Sequence, residues 1–253
     1  YLDRIQELRE IKGVYLANSL QQGFIYHALK QGDIDDAYRV QLIWEYQAPV
    51  DLVVLKEAWD YAQARYPTLR LRFVWDEELV QVIDKVGILD WRYVDLSEEQ
   101  DCTIQEQEIK AIQELDRSEI YQLEQGNLFR VYLIKQREDL YTCIFSNHHA
   151  IIDGWSVAIL LNYIHDTYIK LLQRHSVLLS VDHSYEEAQK YLQVNSESNQ
   201  TYWNNYIAKI EERVDLSGLL TGDNRSSKIS EYKYIKESKE LILIIKDKLY
   251  IDL

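Results

Sequence analysis

Apolar residues in this chain fall into two kinds of run, short ones rich in β-branched and aromatic residues and longer ones with helical spacing, and the two kinds interleave. LFRVYLIKQ and DLYTCIFSNHH, joined through REDL, predict a hairpin of two strands. LRLRFVWDEELVQVID alternates with the period of a strand pair that turns at DEE. AYRVQLIWEYQ, residues 37 to 47, predicts a further strand. Helical spacing appears in NSLQQGFIYHALKQG, with Asn18 or Ser19 as N-cap and Gly32 as stop, and in DLVVLKEAWDYAQARYPTL, which ends before Pro67. The charged segment around 97 to 118 predicts an amphipathic helix with a wet face, and WSVAILLNYIHDTYIKLLQRH a strongly apolar one. SYEEAQKYL and NQTYWNNYIAKI predict two more, and no internal repeat or low-complexity tract interrupts the series.

From about residue 213 the texture changes to a Gly/Ser/Asn-bearing connection, DLSGLLTGDNRSSKISEYKY, after which ELILIIKDKLYIDL predicts a strand or two. Strands interspersed with helices, joined by hairpins rather than strict strand-helix-strand alternation, predict an α/β (α+β) sandwich, a mixed sheet flanked by helices. The pattern does not dictate strand order.

Composition narrows the function classes. The 253 residues carry 42 Asp and Glu against 28 Lys and Arg, a net charge of −14, so no broad cationic surface exists to neutralise a nucleic-acid backbone. No stretch approaches the roughly 20 apolar residues of a membrane span. YLDRIQELREIKG is charged throughout, with no apolar signal core, and two cysteines, Cys102 and Cys143, do not make a disulfide framework. The expectation is a reduced, cytoplasmic protein. Methionine is absent even at position 1, which points to an excised or processed stretch.

The candidate chemistry sits in SNHHAIIDGWS, residues 146 to 156. Successive side chains of a strand point to opposite faces, so His148 and His149 cannot both look into one cleft. One is expected to face the core and the other to be available for chemistry. Adjacent histidines also diverge too far to share a metal, and no further ligand has a matching spacing, so no metal site is expected. No Gly-x-Ser-x-Gly elbow accompanies them either. A general base remains, a histidine taking a proton from an incoming amine or hydroxyl, beside the alternative of a structural pair at a strand end. Asp153 can orient the loop or pair with a cation, and Gly154 leaves room above the strand end. His27, His165, His175 and His183 sit on or beside predicted helices, where packing or exposure accounts for them.

NHHAIIDGWS resembles the HHxxxDG motif of the chloramphenicol acetyltransferase-like superfamily, and its Trp-Ser ending resembles the condensation domains of nonribosomal peptide synthetases. NSLQQGFIYHAL is similar to the family's first motif, an S-x-Q-x-G-like helix start. RYPTLRLRF is similar to its R-H-x-x-L-R-x-x-F motif, with Tyr66 and Pro67 in place of His-Glu. The resemblance covers most of residues 12 to 253. It implies the N-terminal lobe of a two-lobed domain over residues 1–212, and an inter-lobe connection with the truncated start of the second lobe over 213–253.

The implied activity is amide formation between carrier-bound thioesters, the acceptor amine on one phosphopantetheine arm attacking the donor thioester on another. His149 is then the catalytic residue, as base or as positioner of the amine, while His148 and Asp153 are structural. Arg65 or Arg70 is the implied partner of Asp153, and Gly154, Trp155 and Ser156 border the substrate tunnel. No cofactor is held by the chain itself, since the 4′-phosphopantetheine belongs to donor and acceptor peptidyl carrier domains, which with adjacent synthetase modules are the implied partners. A lobe without its counterpart is expected to be inactive and open to self-association. The rival readings are another HHxxxDG acyltransferase working from a carrier or coenzyme A, and a condensation-like module that only recruits a partner. An epimerization domain shares the histidines but usually differs after the Asp-Gly.

Overall fold

The computed structural model describes residues 10–31 and 37–210. It comprises two units, Tyr1–Tyr202 and Trp203–Leu253, and only 203–210 of the second fall among the described residues. The expected boundary at 212/213, the connection after it, the terminal strands and the Gly32 stop all lie outside the described residues.

The first unit is built on two sheets. Strands β1 (Ile11–Leu16), β4 (Val80–Asp84) and β3 (Leu71–Val74) form an antiparallel sheet in the order β1-β4-β3. The second has the order β2-β7-β6-β5, from β2 (Arg39–Tyr46), β7 (Leu140–His148), β6 (Phe129–Arg137) and β5 (Asp90–Asp95). Both hairpins read from the sequence, β3–β4 and β6–β7, are present and antiparallel. The sheet is mixed because β5 runs parallel to β6, connected through the helix Cys102–Ser118. Strands β1 and β5 were not foreseen from the sequence, although both show period-two burial over parts of their six residues.

Six helices complete the described chain: α1 (Ser19–Gln31), α2 (Leu52–Arg65), α3 (Cys102–Ser118), α4 (Gly154–Leu172), α5 (Ser184–Val194) and α6 (Ser196–Ile207). Their starts follow from side chains that accept orphan amide hydrogens. Asp51 takes Val53 N and Val54 N at 3.1 Å, Asp101 takes Thr103 N at 2.8 Å, and Asn18 and Gln21 cap each other's amides at 3.0 Å. Helix α2 stops at Tyr66, ahead of Pro67, as the proline requires. Helix α4 stops earlier than its apolar pattern suggests. Arg174 takes a left-handed backbone (φ 57°), and His175 N bonds back to Lys170 O at 2.9 Å, so His175 lies beyond the helix instead of on it.

Alternation along β6 and β7 separates two faces. Phe129, Val131, Leu133, Cys143 and Phe145 face α2 and α4, where Trp59 stacks against Phe145 and Phe129 and Leu160 and Ile164 close the layer. Tyr132, Ile134 and Ile144 face the other way and pack with Ile109 of α3. Each fully buried Leu, Ile or Phe contributes about 1.5–3 kcal/mol, so these two layers fix the height and twist of β7, whose C-terminal end carries the histidines.

Candidate active site at the end of strand β7

Strand β7 ends at His148, paired opposite Arg39 of β2. Phe145 and Asn147 share the α2/α4 side, Ser146 and His148 the α3 side, and the next residue, His149, leaves the strand with its amide bonded to Tyr38 O at 2.7 Å. The two imidazoles therefore enter different surroundings. His148 is buried, 3% exposed, edge-on to Tyr121 at 6.3 Å. His149 is half-buried and lies parallel to the Phe24 ring of α1, with centroids 5.4 Å apart and planes 13° apart.

Hydrogen bonds assign opposite tautomers to the pair. His148 Nδ1 accepts the Ala150 amide hydrogen at 3.2 Å, so its proton belongs on Nε2. Burial first, then the neighbouring His149 and Arg39, pushes this imidazole down to about 4, and it stays neutral at pH 7. His149 Nδ1 lies 2.9 Å from Ile152 O, and because a carbonyl only accepts, Nδ1 must carry the hydrogen. The lone pair of neutral His149 is thereby placed on Nε2, which no protein group among the described residues engages. Only His149 presents a basic nitrogen outward.

Asp153 caps α4. Its Oδ1 accepts Ser156 N at 2.7 Å, and the Ser156 amide and hydroxyl hold its carboxyl below the usual range. Neither expected arginine reaches it. Arg65, at the end of α2, donates to Ser180 O at 2.9 Å, lies 3.8 Å from Asp182 and sits over the Tyr66 and Tyr163 rings. Arg70 is buried and donates to Gln63 O, to Ala64 O at 2.8 Å and to Asp84 O at 3.0 Å. The carbonyls ending α2 have no intrahelical donors, and a nearby guanidinium is their natural partner, which is why Arg70 turns inward. The expectation that Arg65 or Arg70 pairs with Asp153 is corrected accordingly.

Gly154, Trp155 and Ser156 are all exposed at the start of α4, Trp155 by 88%, and a Cβ on Gly154 would meet nothing within 4 Å. A cavity of about 290 Å³ is walled by His148, with Arg39, Trp75, Tyr121 and Glu124, and neither His149 nor the start of α4 lines it. The Asn147 side-chain nitrogen is buried without an acceptor among the described residues. No cluster of three or more His, Cys, Asp or Glu that could hold a metal occurs among the described residues. No described helix is long and apolar enough to cross a membrane.

Several residues around the loop escaped the sequence reading. Gln21 of α1 donates from Nε2 to Ala150 O at 3.2 Å and to Tyr185 Oη at 2.9 Å, with Gln81 Oε1 3.3 Å away. Gln81 in turn reaches Leu16 O and Gln189 Oε1, both at 2.9 Å. Two local signals marked Gln21, its place in the S-x-Q-x-G-like stretch and the Asn18-x-x-Gln21 spacing that a reciprocal cap needs. The long-range contacts left no local trace.

The family model described as "Condensation domain" matches residues 11–242. The chain is 44% identical over 226 residues to the N-(5-amino-5-carboxypentanoyl)-L-cysteinyl-D-valine synthase of Amycolatopsis lactamdurans, covering 88% of this chain and 6% of that one. It is 36% identical over 242 residues to the synthase of the same name from Penicillium rubens (95% and 6%), and 28% identical over 257 residues to bacitracin synthase 3 of Bacillus licheniformis (96% and 4%). The chain thus spans only a small part of the curated relatives it matches. Among solved structures, the starter condensation domain of rhizomide synthetase superposes with a TM-score of 0.68 at 19% identity, over 80% of this chain and 52% of that one. The first condensation domain of the CDA synthetase gives 0.64 at 20% identity, with the same coverage of both chains. The mixed sheet with its flanking helices is the fold of the solved condensation domains, and the chain belongs to the condensation-domain family.

Proposed function

We propose that this chain takes part in amide-bond formation between two carrier-tethered thioesters in nonribosomal peptide synthesis, with His149 at the reacting atoms. The observation that carries the reading is the Nδ1 contact of His149 to Ile152 O, which leaves Nε2 as an outward-facing base. In the step proposed, the acceptor amine nitrogen attacks the donor thioester carbon. The C–N bond forms, the C–S bond breaks, and the amine proton passes to His149 Nε2 and then to the departing thiolate. Holding the amine in line contributes as much as taking its proton, because a positioned nucleophile has already lost its translational freedom.

The names of the relatives, synthases of peptides, support peptide-bond formation over acylation of an alcohol. Donor and acceptor peptidyl carrier domains, each bringing its 4′-phosphopantetheine arm, and the neighbouring synthetase modules are the proposed partners. Exposed Trp155 and Ser156, with Gly154 beside them, are the proposed wall of the substrate path. Residues 1–212 and 213–253 are proposed as one lobe and the connection to a second. Because this chain spans 52% of the solved domains, its isolated form is proposed to be inactive and prone to self-association.

The test is product formation with both carriers loaded, in the full-length protein with His149→Ala. The account expects a loss of about 100-fold or more with the fold retained. Unchanged turnover would leave the chain as a recruitment module. Products formed only with alcohol acceptors would assign it to the other acyltransferases.

A further inference from the structure

The loop that carries His149 is gripped by α1 at two points. Phe24 lies against the imidazole, and Gln21, three residues earlier on the same helix face, holds the Ala150 carbonyl through its amide nitrogen at 3.2 Å. Four other polar groups of the turn are engaged within it or by Tyr38, just ahead of β2. His149 N bonds to Tyr38 O, Ala150 N to His148 Nδ1, Ile151 N to His148 O, and His149 Nδ1 to Ile152 O. Ala150 O is the place where a side chain from outside the turn fixes its backbone.

Gln21 is itself held in one orientation. It is 4% exposed, and its Oε1 takes the Asn18 amide hydrogen while its Nε2 also donates to Tyr185 Oη. The Tyr185 hydroxyl donates onward to Gln81 Oε1, and the Gln81 nitrogen donates to Leu16 O and to Gln189 Oε1. Because the chain of bonds ends on the carbonyls of Ala150 and Leu16, which only accept, both glutamine amides have a single allowed orientation. Tyr185 and Gln189 stand four residues apart on α5, a helix that the reaction otherwise leaves without a role, and Lys12 of β1 pairs with Glu186 between them. A buried amide relay therefore joins α5, β4 and α1 to the peptide unit that follows His149.

We propose that Gln21 is a positioning residue for His149. By fixing the Ala150 carbonyl it sets the turn through Ile152, and so keeps the hydrogen on His149 Nδ1 and the lone pair on Nε2. This rests on the reading of His149 as the histidine at the reacting atoms. The test therefore has one arm that does not involve turnover.

Imidazole nitrogen shifts of His149 are measured by NMR in the wild type, in Gln21→Leu, which removes the donors, and in Gln21→Glu, which keeps Oε1 for Asn18 but sets an oxygen against Ala150 O. Ile109→Val, a core change on the far side of the sheet, serves as the destabilised control. The expected result is a pure Nδ1–H tautomer in wild type and control, and a mixed tautomer in both Gln21 variants. In the full-length protein kcat then falls about tenfold or more in those two variants while KM is unchanged. Gln21 variants that lose stability yet keep the wild-type tautomer and kcat would reduce Gln21 to a packing role and overturn the proposal. Should His149→Ala leave turnover intact while the Gln21 variants still shift the tautomer, the functional reading fails and the positioning of the ring stands.

Discussion

The α3 face of the four-stranded sheet and the relay that links α1, β4 and α5 deal with buried polar groups in opposite ways. On the α3 face, charges are locked together: Asp116 accepts Arg130 Nε at 2.7 Å, Ser146 Oγ at 2.9 Å and Gln41 Nε2 at 2.6 Å, and Arg92 joins Asp90 to Glu119. Along the relay between α1, β4 and α5 the linked groups are neutral, glutamine amides and a tyrosine hydroxyl that end on backbone carbonyls. His148 ends the strand on the charged face and is held neutral by burial, while His149 turns to the amide side and keeps a basic nitrogen outward. A network saturated with ion pairs suits a scaffold. A neutral relay fixes a turn without adding a charge of its own.

Breaking the charged face should have the largest effect. Asp116→Ala leaves Arg130 buried with its main partner gone, so a loss of about 3–5 kcal/mol in urea unfolding is expected. Turnover should fall only in step with the folded fraction. A catalytic loss at full folding would mean that the two regions are coupled.

The next effect is one of pH. The folded-state value of His148 lies below that of an unfolded histidine, near 6.5, so its neutral form contributes stability at pH 7 that is lost as pH falls through that value toward 4. Between pH 7 and 4.5 the wild type should lose about 2–3 kcal/mol more than His148→Gln, because each tenfold change in a protonation equilibrium is worth roughly 1.4 kcal/mol. Equal losses for the two proteins, in denaturant titrations at the two pH values, would show that His148 is protonated without penalty.

The smallest effect concerns Asp153. As the α4 cap it should cost about 1 kcal/mol when replaced by Ala and little when replaced by Asn, which caps as well. Thermal melts of the two variants decide this. A large loss in Asp153→Asn would restore an ion-pairing role that neither Arg65 nor Arg70 provides.

Much of this comparison was legible in the sequence where local rules dominate. Pro67 ended α2, the two hairpins declared themselves by composition, and alternation alone said that His148 and His149 must part. The end of α4 was not legible, because an arginine adopts the left-handed position usually left to glycine. The partners of Arg65 and Arg70 were not legible either. Spacing places a guanidinium near a helix end but does not say whether it turns outward to Asp153 or back onto the carbonyls of its own helix. The amide relay escaped for a related reason: positions 21, 81, 150, 185 and 189 meet only after two sheets and two helices are in place.

The central claim is that the adjacent histidines hold their protons on opposite nitrogens, so that only one of them is a base at the surface. Nitrogen NMR of the two imidazoles in the wild-type protein at pH 8 tests it directly. The account predicts the Nε2–H tautomer for His148 and the Nδ1–H tautomer for His149. The same tautomer at both positions, or Nε2–H at His149, would contradict it.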